Sequence, residues 1–215
     1  MKNTLILSGS PKKNMDECNS RIIADHFVSR WQESCRIEQI ALWEPKELAE
    51  LTATFSTILI IMPLYIHAMP GVVMKFFEHL KPASDNDRFL GFIVQAGFME
   101  TAQHKFLAPY LEHLAKKLGY RYLGYVAKGE AAGIYMFPKM FKKVLRRFAD
   151  LGEAFERTGE FDSEIVKALA EPYELSKGQL RFLKFIDVVG LSNIGWHSKL
   201  RKHGTLKQRL DRPYL

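Results

Sequence analysis

Five short runs of β-branched and aliphatic residues, each handing over to a stretch with helical spacing, constrain this chain more than any other feature. Residues 4–8, 36–42, 57–62, 88–95 and 120–126 read as strands. Residues 57–62 are apolar almost throughout, as a strand is when helices cover both faces of its sheet. Helical stretches follow at 20–31, 45–51, 70–80, 101–118 and about 138–158. In the first, Ile22, Ile23, Phe27, Val28 and Trp31 share one side. In the fourth, Phe106, Leu107, Tyr110, Leu111, Leu114 and Leu118 do so, and Gly119 ends it. Parallel strands need crossover connections, and five successive βα units supply them. The expected fold is α/β: a doubly wound, five-stranded parallel sheet in three α/β/α layers over residues 1–158. After Gly159 the alternation stops. Residues 159–215 read as a C-terminal helical and basic extension, with helices near Ser163–Ala170 and 176–189.

Composition narrows the class without naming a chemistry. The 215 residues are 47% apolar and 26% charged, a globular balance. The longest apolar run, 58–62 before Pro63, is far shorter than the roughly 20 residues that cross a bilayer. Met1-Lys2-Asn3 leads into a strand with no signal-peptide pattern. Cys18 and Cys35, the only cysteines, cannot make a disulfide framework or a metal cluster. A cytoplasmic protein with no integral membrane segment is expected. Lys139, Lys142, Lys143, Arg146 and Arg147 give +5 without an acid, and residues 196–215 give +5 more. The net charge is +7, so the remainder stands at −3. A nucleic-acid module would carry a continuous basic face, and no nucleic-acid partner is expected.

In such a sheet the ligand sits beyond the carboxyl ends of the strands, at the switch point between the first and third. The first loop runs Gly9-Ser10-Pro11-Lys12-Lys13 and on to Asn19-Ser20. It gathers free backbone N–H groups, the positive end of a helix dipole, two hydroxyls and a movable ammonium, which is what a phosphate needs. A plain turn with Asn19 or Ser20 as helix cap would use the same residues. Pro11 and Asn14 stand where a dinucleotide loop needs glycine, and no Gly-Lys-Ser/Thr occurs. The loop therefore suits the terminal phosphate of a mononucleotide. The third-strand loop, Pro63-Leu64-Tyr65-Ile66-His67 on to Pro70-Gly71, sets apolar and aromatic side chains on a proline-stiffened backbone. These suit the flat face of an aromatic ligand, unless they pack on the next helix. Gln95-Ala96-Gly97-Phe98 ends at the same edge, where Gly97 admits close approach and Phe98 can stack. The loop from Lys128 to Gly133 is small and flexible. Cradle, wall and floor together describe a site for flavin mononucleotide (FMN).

These three loops resemble those of the flavodoxin-like NAD(P)H-dependent FMN reductases, and most of all the relatives of the iron–sulfur flavoproteins. The resemblance covers roughly residues 1–155. It implies a flavodoxin-like fold with FMN at this edge, Ser10, Lys12, Asn19 and Ser20 holding the phosphate. Pro63, Leu64, Tyr65, Ile66, His67, Gly97 and Phe98 would contact the ring system. NADH or NADPH would be the donor, and a quinone, flavin or other small molecule the acceptor, with the flavin carrying the chemistry. The chain departs from the pattern in lacking the cluster cysteines, in having Lys12 where arginine is common, and in having His67 where an acid is often found. Residues 159–215 match nothing in the family.

An electron carrier without a nicotinamide site, and an association module whose basic tail docks on a membrane or nucleic acid, stay open beside this reading. Leu180, Phe182, Leu183, Phe185, Ile186, Val188 and Val189 are apolar on more than one helix face, and a homodimer is expected. Beyond them Trp196, Leu200, Leu206, Leu210 and Tyr214 alternate with charges. His26, His79, His104 and His113 read as surface residues, and Cys18 as a partly buried, unreactive thiol.

Overall fold

The computed structural model describes residues 3–83, 87–190 and 193–211; Met1, Lys2, Arg212 and Tyr214 lie outside the described residues. Five strands, β1 (Thr4–Ser8), β2 (Arg36–Gln39), β3 (Thr57–Pro63), β4 (Phe89–Gln95) and β5 (Arg121–Lys128), pair in parallel in the order β2-β1-β3-β4-β5. This is the flavodoxin-like order. β1, β3 and β4 are buried along their whole length, because alternate residues serve two cores. Leu5, Leu7, Ile58, Ile60, Met62, Leu90, Phe92 and Val94 pack with the apolar stripes of α2 (Pro45–Thr52), α3 (Gly71–His79) and α4 (Leu107–Lys117). Ile6, Leu59, Ile61, Ile93 and Val126 pack with α1 (Asn19–Phe27) and α5 (Lys142–Thr158). Each fully covered Leu or Phe contributes roughly 1.5–3 kcal/mol.

The tightest joint lies between α1 and α5. A Cβ on Gly152 would stand 1.6 Å from the Phe27 carbonyl oxygen. Trp31 locks the same place, donating its indole N–H to the Gly152 carbonyl at 2.8 Å and stacking on Phe155 with centroids 6.2 Å apart.

Element boundaries differ from the sequence reading where distant chain intervenes. β2 ends at Gln39, and Ile40–Leu42 is a 3-10 turn. The helix expected over 101–118 divides into a 3-10 turn at Thr101–His104 and α4. At this division Thr101 and Ala102 give their N–H groups to the Pro172 and Tyr173 carbonyls, and the Thr101 hydroxyl donates to the Ala170 carbonyl. β5 runs on to Lys128, whose carbonyl accepts from Ala96 N–H at 2.8 Å. α6 (Ser163–Ala170), capped by the Asp162 carboxylate, packs on β5 and α5 with Leu169 fully buried.

The chain forms two compact units, Met1–Glu174 and Leu175–Leu215. The second holds α7 (Lys177–Val188), α8 (Ile194–Lys202) and a 3-10 turn at Leu206–Gln208. A reciprocal capping box between Ser176 and Gln179 starts α7, yet none of its residues is buried. Among the described residues no helix is long and apolar enough to cross a membrane.

Candidate functional site

The loops after β1, β3, β4 and β5 leave the sheet at one edge. β1 ends beside β3, and Gly9 N–H donates to the Ile61 carbonyl at 2.8 Å. A Cβ on Gly9 would meet Val73 and Met62 at 2.7 and 2.8 Å, so only glycine lets the loop turn this close to α3. Gln39, at the end of β2, then holds the loop, its amide donating to the Ser10 and Lys12 carbonyls at 3.0 and 2.8 Å. Ser10 and Ser20 are both buried. The Ser10 hydroxyl accepts from Lys12 N–H at 3.3 Å, whereas the Ser20 hydroxyl is covered and has no hydrogen-bond partner. Cys18, the residue before α1, gives the helix no side-chain cap. The first turn of α1 therefore presents an unpartnered hydroxyl beside uncapped N–H groups. That combination fits an anion, because a buried hydroxyl without a partner costs roughly 1–3 kcal/mol. The Lys12 ammonium lies across the loop, 4.3 Å from the centre of the Tyr135 ring and 3.0 Å from the Glu17 carbonyl.

Asn19 links two of these loops. Its amide donates to the Ala131 carbonyl at 2.8 Å and accepts from Tyr135 N–H at 3.0 Å, so the side chain ties α1 to the loop after β5. Cys18 is fully buried, its sulfur 3.5 Å from the Ser8 hydroxyl.

After β3 the chain makes a small hairpin. Tyr65 and Ala68 exchange both backbone hydrogen bonds at 3.0 Å, and Ile66 and His67 between them have φ of 47° and 64°. Two positive φ values are what a two-residue hairpin turn requires, and a β-branched residue there is strained. Ile66 is 91% exposed, Tyr65 about half exposed, and partial burial pushes the Tyr65 hydroxyl above its usual pKa. His67 anchors the tip to the next loop: Nδ1 donates to the Gln103 carbonyl at 3.0 Å, and the ring meets Phe106 edge-on. Pro63 and Leu64 are buried, with Leu64 in the core with Met69; they support the hairpin from below and do not line its surface.

Main-chain hydrogen bonds strap the remaining loops together. Leu64 N–H donates to Gln95, Ala131 N–H to Ala96 and Glu130 N–H to Phe98. Gly129 lies so close to the Phe98 and Met99 carbonyls that a Cβ would collide with both. Gly97 is exposed with only Ala132 near it, and Phe98 is half exposed. Of the expected ring-facing set, Tyr65, Ile66, His67, Gly97 and Phe98 therefore stand at the open edge.

Sequence reasoning passed over Gln39, which it read as mid-strand, and Lys128. Lys128 ends β5 almost wholly buried, and loss of water pulls its ammonium below the usual lysine pKa, partly offset by Glu130. An apolar cavity of about 350 Å³ opens beside the hairpin, between Met69, Met74, Phe106 and Tyr110. Larger cavities of about 490 and 550 Å³ lie elsewhere, one around Thr4, Thr57, Phe89 and Arg121 and one around Leu80, Arg88 and Tyr120. Those residues mark the amino ends of the strands, away from the convergent loops, so the carboxyl edge is the better candidate despite its shallowness.

No family model matches the sequence, and no curated protein does. Solved structures do share the fold. An NADH:FMN oxidoreductase in its apo form is 16% identical with a TM-score of 0.55, the match covering 80% of this chain and 97% of that one. An NAD(P)H:quinone oxidoreductase from Methanothermobacter marburgensis is 14% identical with a TM-score of 0.53, over 72% and 97%. An FMN-dependent NADH-azoreductase from Bacillus anthracis, solved in complex with FMN, is 13% identical with a TM-score of 0.52, over 72% and 99%. Each of these chains is matched almost whole, while a fifth or more of this one lies outside the match. What is shared at such identities is the flavodoxin-like fold.

Proposed function

We propose that this chain is an FMN-dependent oxidoreductase of the flavodoxin-like reductase kind, taking a hydride from NADH or NADPH and passing electrons to a quinone, flavin or other small acceptor. The observation that carries the reading is the Ser20 hydroxyl, buried and unpartnered at the uncapped start of α1. The likeness to solved FMN- and NAD(P)H-dependent reductases supports it. A two-fold dimer and a cytoplasmic location belong to the same reading.

Bound FMN would supply the ring that accepts a hydride and gives up electrons. The chain's own residues bind and orient. Ser10, Ser20 and the first-turn N–H groups of α1 would take the phosphate, with Lys12 turning from Tyr135 to balance its charge. Tyr65, Ile66 and Phe98 would border the ring and keep water from its face, while His67 holds the hairpin tip in place. The apolar cavity at Met74, Phe106 and Tyr110 would receive the flat, uncharged part of an acceptor.

Mixed with FMN and passed through gel filtration, the protein should elute yellow; colourless protein would sink the reading. Ser20→Ala should weaken FMN binding about ten- to a hundredfold, from the roughly 1.5–3 kcal/mol of a hydrogen bond to a charged group. Riboflavin binding should change little, whereas equal losses for both ligands would mean that Ser20 only shapes the loop. Under anaerobic conditions NADH or NADPH should bleach the bound flavin within seconds. Bleaching by dithionite but by neither nicotinamide would favour the electron-carrier reading.

A further inference from the structure

The charge of this chain follows the boundary between its two units. Up to Glu174, 22 lysines and arginines meet 22 aspartates and glutamates. From Leu175 onward nine basic residues meet only Asp187 and Asp211, so the second unit holds the entire net charge of +7. Large apolar side chains lie open among these charges. On α7 and its C-cap Val189, Leu180, Phe182, Phe185, Val188 and Val189 are 45–86% exposed, and Trp196 on α8 is 60% exposed. At helical spacing Phe182, Phe185, Ile186 and Val189 share one face of α7, and Lys177, Arg181 and Lys184 lie on the other.

Each class of partner would use this surface differently. A two-fold dimer built on this patch would cover the phenylalanines and leave the net +7 of each copy without a countercharge. A nucleic-acid duplex would take the charges and leave the phenylalanines in water. An anionic bilayer takes both at once: apolar rings settle at the boundary between headgroups and acyl chains, and lysines and arginines reach the lipid phosphates. We propose that the second unit docks on the surface of anionic lipid bilayers, with α7 lying in the plane of the interface and Phe182, Phe185 and Trp196 inserted. The proposal is independent of the flavin reading.

The test is flotation of the full chain with vesicles of phosphatidylcholine alone and of phosphatidylcholine mixed with phosphatidylglycerol. The protein should float with the mixed vesicles and stay behind with the neutral ones. Binding should fall at least about tenfold between about 0.1 M and 1 M salt, as the screening length shrinks from about 10 Å to about 3 Å. The double variant Phe182→Glu/Phe185→Glu should lose at least about tenfold, and so should Arg181→Glu/Lys184→Glu, which leaves the apolar face intact. These residues are exposed, so far-UV circular dichroism and FMN binding should not change in either variant. Equal binding to both vesicle types, or wild-type binding by both variants, would overturn the proposal. It would equally be overturned by a chain that ignores vesicles but is a dimer made monomeric by Phe182→Glu/Phe185→Glu. Capture of duplex DNA in place of vesicles, insensitive to that variant, would assign the patch to nucleic acid.

Discussion

Gly152→Ala is expected to destabilise the protein by about 4 kcal/mol or more, lowering its melting temperature by about 8–16 °C. The added carbon would sit 1.6 Å from the Phe27 carbonyl oxygen and 2.6 Å from its carbon. Both obstacles are backbone, so no rotamer change relieves the clash and α1 must move off α5. That opens the core around Phe27, Phe148, Leu151 and Phe155 and breaks the Trp31 hydrogen bond to Gly152. Gly71→Ala is the control: a Cβ there meets nothing within 4 Å, and the change at the start of α3 should be neutral or slightly stabilising. Thermal melts followed by circular dichroism check both. A Gly152→Ala protein melting within a degree or two of wild type would show that the joint is looser than described.

Acid should destabilise the fold through His104. The ring is 3% exposed, Nδ1 lies 2.7 Å from the Tyr125 hydroxyl, and Nε2 is buried without a partner. Burial lowers its pKa to about 4, against 6.5 for the unfolded chain. As pH falls from about 6.5 the unfolded chain takes up a proton that the folded one refuses. Stability is therefore full above pH 6.5 and drains away towards pH 4, by roughly 3 kcal/mol. Urea titrations across that range should show the loss, and His104→Gln should flatten it relative to the other acid-titrating groups. An unchanged slope in the variant would clear His104 of the effect.

His104 also shows where sequence reading falls short. By its polarity it reads as a surface residue, yet it stands three and seven positions before Leu107 and Leu111, on the stripe that α4 buries. The signal was present, and polarity masked it. The central strands were legible because covering both faces of a sheet leaves little room for polar residues, and β1, β3 and β4 have them only at their ends. The open rim was legible for the converse reason: Tyr65, Ile66 and Phe98 are apolar where a connection is normally polar. Long-range polar bonds were not legible. Asn19 reaches the Ala131 carbonyl across 112 positions and Gln39 reaches the Ser10 carbonyl across 29. Nothing in local spacing distinguishes such an amide from a helix cap or a mid-strand glutamine. The bonds that tie Thr101 and Ala102 to the chain at Pro172 and Tyr173 are equally long-range and were no more legible.

The straps between the β4 and β5 loops are made of backbone alone. Ala96, Phe98, Glu130 and Ala131 hold one another through peptide groups, and Leu64 joins through its own N–H. A frame built this way places almost no demand on the side chains it displays. Random libraries at Tyr65, Ile66 and Phe98 should therefore yield mostly folded proteins. On the proposed reading, the edge would change what it recognises one residue at a time, and new acceptor preferences would lie within reach of single substitutions.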